Sequence, residues 1–313
     1  MLTQEGINMP ISEVEKIWMN GSLVNWKDAK IHVLTHALHY GSGVFEGIRC
    51  YKTAKGPAVF RLREHMDRLE DSAKIYMKSI QYTTEQLCEA TRQLIKANKL
   101  EECYIRPIIY RGYGEMGLDP TKSKVDVAIA AWVWGTYLGE EGLKNGIRAK
   151  ISSFQRISPN ILPSSAKATG QYINSILAKL EATDVGYDEA IMLDNRGFVS
   201  EGPGENIFMV KNGVIYTPPE HASVLLGITR DSVMEIAADM GYEVKETDLT
   251  RGNLYLADEA FFTGTAAEIT PIRNIDGRVI GKPGPITKRI QEKYFDVVRG
   301  KDRKYEKWLE YIR

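Results

Sequence analysis

The chain has 313 residues, 43% hydrophobic and 26% charged, the make-up of a folded protein of about two domains rather than a disordered, collagen-like or disulfide-stapled one. Its 41 lysines and arginines balance 41 aspartates and glutamates, so no global field draws in nucleic acid or an anionic membrane surface. Any charge-based function must come from a few placed residues, and a chain without net charge has little repulsion opposing self-association.

Asn20-Gly21, between Lys16–Met19 and Ser22–Val24, predicts a tight hairpin. Strands are expected at Val44–Tyr51 and Ala58–Leu62, split by Lys55-Gly56-Pro57, and a helix from Glu64 to Ile75. A second helix starts near Thr83, with Gln86 as its capping-box partner and Leu87, Ala90, Leu94 and Ile95 on its buried face. Tyr104–Tyr110 and Val125–Trp134 read as strands, which makes the first half an α+β unit. The glycine-rich run Gly135–Gly146 reads as a linker, giving domains over 1–134 and 147–313. Beyond it come a strand at Ala149–Phe154 and an irregular segment between Pro159 and Pro163. A helix from about Gly170 follows, with Ile173, Ile176, Leu177 and Leu180 on one face. Short strands fit Glu189–Asp194, Phe198–Ser200 and Asn206–Lys211, and a helix after Thr229 places Val233, Ile236, Ala237 and Met240 together. Strands at Glu243–Glu246, Glu259–Thr263 and Arg278–Ile280 precede terminal helices over Ile286–Val298 and Lys304–Tyr311.

Several function classes lose support. There is no G-x-G-x-x-G opening a βαβ unit, no G-x-x-x-x-G-K-[ST], no H-E-x-x-H and no G-x-S-x-G. Cys50, Cys88 and Cys103 are odd in number and lack C-x-x-C spacing, which predicts neither a disulfide framework nor a thiol switch and points to a reducing cytoplasm. The first residues do not read as a signal peptide, and Val127–Trp134 is far short of the ~20 apolar residues of a membrane span. His32, His36 and His39 share helical spacing, but no carboxylate or cysteine joins them and Gly41 and Gly43 oppose a continuing helix, so no metal site is expected.

Four segments hold chemistry-bearing residues. Leu226-Gly227-Ile228-Thr229 leads into an amphipathic helix whose first free N–H groups can bind an anion. Thr263-Gly264-Thr265-Ala266 ends a strand in small residues that let a ligand approach the backbone. Lys167 sits among small residues in Pro163–Gly170, able to project into a cavity as an amine nucleophile does. Glu201 and Glu205 flank a Gly-Pro-Gly turn that can aim one carboxylate inward. Taken singly, each is equally ordinary loop chemistry: a glycine before a helix, a surface lysine, an acidic hairpin.

Together these segments resemble the class IV, fold type IV pyridoxal-phosphate enzymes, and within them the branched-chain amino acid aminotransferases. The resemblance runs from about Trp18 to Trp308. Its most specific stretches are His39–Arg49, Tyr104-Ile105-Arg106-Pro107 and Glu189 through Asn206, with Leu226–Asp231 and Phe262–Thr270. It implies a mixed α/β chain with a small α+β N-terminal domain, a larger C-terminal domain with a β-rich core, and an active site between them. It also implies pyridoxal 5'-phosphate as cofactor, amino acids and 2-oxo acids as small-molecule partners, and a homo-oligomer, dimer or hexamer. The implied reaction moves the amino group between Leu, Ile or Val and 2-oxoglutarate by a ping-pong aldimine mechanism. D-amino acid aminotransferases and 4-amino-4-deoxychorismate lyases share the fold; the Tyr104-x-Arg106 pair favours the branched-chain reading.

By the same resemblance, Lys167 is the catalytic lysine that bonds the cofactor and moves the α-proton. Glu201 pairs with the pyridine nitrogen, and Tyr172 hydrogen-bonds the ring hydroxyl. Arg68, the Ile228 and Thr229 amides, and Thr229 and Thr265, in the turns of Gly227 and Gly264, hold the phosphate. On the substrate side, Tyr40 and Arg106 receive the second carboxylate of glutamate, with Tyr104 beside them. Phe45, Gly47, Trp134 and Tyr137 line the side-chain pocket, Met116 and Leu118 come from a neighbouring subunit, and Thr265 and Ala266 bind the α-carboxylate.

Overall fold

A computed structural model describes residues 11–77 and 80–313. Two eight-stranded sheets organise them. The first begins with the expected hairpin, Lys16–Met19 against Ser22–Asn25, where Asn20 (φ 47°) and Gly21 (φ 94°) take the left-handed conformation a two-residue turn needs. Across the sheet the order is Leu309–Tyr311, Gly56–Phe60, Ile48–Thr53, Cys103–Arg111, Val125–Trp132, Lys16–Met19, Ser22–Asn25, with Gly43–Phe45 also on Cys103–Arg111. The single strand expected over Val44–Tyr51 is broken at Glu46-Gly47, and that break turns Glu46 into the interior.

Helices Leu62–Met77 and Thr84–Ala97 cover one face of this sheet. The capping box is present: the Gln86 amide donates to the Thr83 hydroxyl, and the Gln86 side chain accepts from the Thr83 amide. Leu62, Met66 and Leu69 from one helix and Leu87, Leu94 and Ile95 from the other join Ile105, Ile109 and Ile129 in one core.

The second sheet runs Val244–Glu246, Val214–Thr217, Asn206–Lys211, Glu259–Gly264, Glu268–Ile275, Ile147–Ile151, Glu189–Ile191, with Arg278–Val279 on the edge of Glu268–Ile275. Phe208 and Phe261 stack at its centre with ring centroids 5.1 Å apart, beneath helices Ile228–Asp239 and Pro285–Val298.

Four segments depart from expectation, the first being Phe198–Ser200, which forms no strand but only an isolated bridge of Val199 with Leu193. Residues Lys304–Tyr311 are not a helix but a 3-10 turn, Arg303–Trp308, and a strand, Leu309–Tyr311, that pairs with Gly56–Phe60 in the first sheet. Tyr305 and Trp308 are both buried, and their i, i+3 spacing suits a 3-10 turn as well as an α-helix. The segment 135–146, expected as a linker, contains the helix Gly139–Asn145, packed on Glu268–Ile275. In helix Tyr172–Asp184 the face toward the sheet is Ser175, Ala178 and Ala182. Ile173, Ile176, Leu177 and Leu180 are exposed, because small residues let the helix lie close on Ala190 and Met192 and turn the larger ones outward.

Candidate active site

A cavity of ≈ 240 Å³ lies where strands of the first sheet meet turns of the second. Lys167 enters it from the loop before the 3-10 turn Thr169–Gln171, and its Nζ donates to Tyr172 Oη at 2.7 Å. The lysine's backbone is pinned on both sides: its N–H donates to Ser72 Oγ at 3.0 Å and its carbonyl accepts from Phe45 N at 3.0 Å. The Phe45 and Tyr172 rings lie 5.2 and 5.3 Å from Nζ, so the amine is walled by aromatic faces.

At one end, Arg68 on helix Leu62–Met77 faces the start of helix Ile228–Asp239 and donates from Nη1 to Leu226 O at 2.8 Å. That helix begins at Gly227 without a side-chain cap, leaving its first amides free for a ligand. A Cβ at Gly227 would lie 2.0 Å from Asn206 Oδ1, so the turn closes only around glycine. Arg68 is gripped from behind by Glu46, whose two oxygens accept from Nε at 2.7 Å and Nη2 at 2.8 Å. Burial alone would raise the Glu46 carboxyl; the Arg68 charge, with bonds from His65 and Arg68, outweighs it and holds Glu46 well below the usual carboxylate range. Burial lowers the His65 pKa, and because an ionised carboxylate can only accept, His65 Nδ1–H donates to Glu46 at 2.9 Å.

At the other end stands Glu201, fully enclosed. Its Oε1 accepts from Arg156 Nε at 2.8 Å, and its Oε2 accepts from Asn206 Nδ2 and from the Leu225 amide, both at 3.0 Å. Burial pushes its pKa above the ordinary value, and the Arg156 guanidinium is the largest influence opposing that rise. Beside it lies Glu205, which burial and then the neighbouring Glu189 carboxylate push up to about 8.

The cavity also has an aromatic side. Tyr104 and Arg106 project from one face of strand Cys103–Arg111, with Arg106 Nη2 donating to Tyr104 Oη at 3.0 Å. The guanidinium sits 4.7 Å from the Phe45 ring centroid, and Tyr104 meets Trp134 edge-on at 4.7 Å, with Tyr137 beyond. Gly47 makes this possible: a Cβ there would fall 2.0 Å from Tyr104 Oη. Arg106 Nε and Thr263 Oγ1 are buried without a hydrogen-bond partner among the described residues, and both residues line the cavity.

The amino-transferase class IV family model matches residues 43–275, which span this whole constellation. The chain belongs to the class IV aminotransferases. Among its class IV relatives, the branched-chain-amino-acid aminotransferase of Pseudomonas aeruginosa is 53% identical over 93% of this chain and 95% of its own. The crystal structure of the Escherichia coli branched-chain amino acid aminotransferase superposes with a TM-score of 0.94 at 51% identity, over 96% of this chain and 100% of that one. The branched-chain amino acid aminotransferase of Thermobaculum terrenum, solved in its PLP-form, is 36% identical with a TM-score of 0.90, over 96% of this chain and 99% of that one.

The class IV cavity gathers Lys167, Arg68, Tyr172, Glu201, Gly227, Ile228, Thr229, Gly264 and Thr265, all expected at a cofactor. From the expected substrate set it takes Phe45, Gly47, Tyr104, Arg106, Trp134, Tyr137 and Ala266. Tyr40, Met116 and Leu118 it does not. Tyr40 stacks on His36 and donates to Met116 O at 3.0 Å on the outer surface, and Leu118 is 87% exposed. The loop that carries Met116 and Leu118 is held to its own chain by His36, whose Nε2 lies 2.9 Å from Gly117 O. The histidines of the 32–39 run diverge: His36 Nδ1 meets Ser42 Oγ at 2.7 Å, and His39 Nε2 bonds Val33 O at 2.8 Å. Glu46, Arg156 and Asn206 stand in the site without a role expected from the sequence, because each acts through partners that only the folded chain brings together.

Proposed function

We propose that this protein is a pyridoxal-phosphate-dependent transaminase that exchanges the amino group between branched-chain L-amino acids (Leu, Ile, Val) and 2-oxoglutarate. One observation carries the reading: a lysine amine stands between an anion cradle at one end of the cavity and a buried carboxylate at the other, with an arginine on the aromatic side. The donor set fits the cofactor. Arg68, the uncapped amides at Ile228 and Thr229, and Thr265 suit a phosphate dianion, and Glu201 suits a protonated ring nitrogen. When bound, the cofactor supplies a carbonyl that captures the amino group and a ring that takes up the electron pair left at Cα.

The remaining work falls to the chain. Lys167 Nζ would hold the cofactor and, once released, carry the proton removed from the substrate Cα, with Tyr172, 2.7 Å away, holding the amine in place. Phe45, Trp134 and Tyr137 exclude water around a branched apolar side chain, while Arg106 and Tyr104 receive the second carboxylate when glutamate occupies the same space. Thr265 and the Ala266 amide orient the α-carboxylate. The protein acts as a homo-oligomer built from dimers, in which Tyr40, Met116 and Leu118 complete a partner's pocket. The exposed row Ile173, Ile176, Leu177 and Leu180 supports that reading as apolar surface that one chain leaves uncovered. The three buried, unpaired thiols suit a cytoplasmic protein.

Single L- and D-amino acids added to the cofactor-loaded enzyme test the specificity. L-leucine, L-isoleucine, L-valine and L-glutamate are expected to bleach the visible band, and 2-oxoglutarate to restore it. Fast bleaching by D-alanine without L-leucine would refute the branched-chain reading in favour of the D-amino acid one.

A further inference from the structure

Of the three donors that Glu201 accepts from, one is charged. An ionised carboxylate accepts along about four directions, two per oxygen. Both directions on Oε2 are taken by neutral donors, Asn206 Nδ2 and Leu225 N. Oε1 accepts from Arg156 alone, leaving one direction for a ring N–H. A ring N–H held by Glu201 would therefore share one oxygen with the guanidinium, and Arg156 is the one ion-pair partner of Glu201 among the described residues.

We propose that Arg156 is a positioning residue that decides which side of the contact between Glu201 and the cofactor's pyridine nitrogen carries the proton, keeping it on the nitrogen. The proposal rests on the assignment of Glu201 given above. Arg156 is 8% exposed, so its charge acts with little solvent screening. Its backbone is fixed, the N–H donating to Leu193 O at 2.8 Å, and the preceding carbonyl of Gln155 accepting from Asn174 Nδ2 at 2.9 Å. The other charged groups facing Glu201 do not replace it. Lys167 is occupied by the cofactor, and Glu205 is a carboxyl that would add negative charge rather than remove it. Without Arg156, burial makes Glu201 the stronger base, the proton crosses to it, and the ring loses the charge that draws electrons from Cα.

The test is the 15N resonance of holoenzyme reconstituted with ring-15N pyridoxal phosphate. In the wild type the signal is expected at the protonated-pyridine position. Arg156→Met, and Arg156→Gln as the gentler variant should the first fail to fold, are expected to move it toward the unprotonated position and to lower kcat at least about tenfold, the equivalent of one pKa unit. Arg156→Lys, which keeps the charge, should hold the signal in place. A wild-type resonance in Arg156→Met or Arg156→Gln overturns the proposal. Glu201→Gln separates the two levels: if it too leaves the resonance unmoved, the assignment of Glu201 falls. If it moves the resonance while the Arg156 variants do not, only the role of Arg156 falls.

Discussion

Each end of the cavity sets a buried glutamate against an arginine, and the two pairs are built differently. At the end proposed for the phosphate, Glu46 meets Arg68 through two bonds of 2.7 and 2.8 Å and takes a third from His65, and it stays ionised well below the ordinary carboxylate range. At the end proposed for the ring, Glu201 meets Arg156 through one bond of 2.8 Å, keeps one direction open, and is pushed above the ordinary range by burial. The first arrangement is an anchor, because a carboxylate that cannot take a proton holds a guanidinium at constant charge and angle. The second can share a proton with whatever meets its open direction. On the proposed function, a site that grips a dianion and also adjusts the electron demand of a ring uses both kinds, whose glutamates lie 22 and 45 residues in sequence from their arginines.

The largest effect is expected from removing the group between the two ends. Lys167→Ala should abolish turnover and the visible band of the lysine-bound cofactor, while both ends still bind pyridoxal phosphate without a covalent bond, measurable by equilibrium dialysis. Retained turnover and band would sink the assignment of the lysine. Loss of all cofactor binding would instead break the comparison, since the ends could then not hold the cofactor themselves. Next in size is Glu46→Gln. It leaves a largely enclosed Arg68 without its counter-charge, which costs about 3 kcal/mol or more in a buried pair. That loss should appear in urea unfolding and as weaker cofactor binding, with specificity among amino acids unchanged. An unchanged cofactor affinity would mean that Glu46 anchors nothing.

How much of this was legible depended on how local each signal is. The hairpin at Asn20-Gly21 and the capping box at Thr83 and Gln86 are set by neighbours in the chain, and both formed where read. Lys167, the 226–229 turn and the 263–266 turn carry local motifs, and the cavity gathers all three. Glu46 and Arg156 carry none, because what they do depends on partners that only tertiary packing supplies. Periodicity in Tyr172–Asp184 identified an apolar row but not which way it faces, and the alanines opposite settle that by their size. Tyr305 and Trp308 likewise fit two kinds of turn, and the open edge of Gly56–Phe60 captured the strand that follows them. Tyr40, Met116 and Leu118 read as pocket residues but lie outside this chain's cavity.

The smallest expected effect sharpens the ring end. Glu205 is a second enclosed carboxyl there, pushed up to about 8 by burial and then by Glu189, which Lys179 holds at 2.8 Å. Because this lies above its ordinary 4.5, the folded protein keeps a proton that the unfolded chain has released between those two values. Its contribution to stability is therefore fully present below about 4.5 and lost as the pH rises through 8. Glu189 and Glu201 are raised in the same direction, so they add to the decline. Glu205→Gln keeps the shape and cannot ionise, and it should leave the melting temperature near its wild-type value at pH 5 while making the fall between pH 5 and pH 8 shallower. The same substitution in Glu46, ionised throughout this range, should lower the melting temperature about equally at both pH values. Parallel declines in wild type and Glu205→Gln would mean that Glu205 is ionised in the folded protein, and the ring end would then carry two fixed negative charges rather than one adjustable pair.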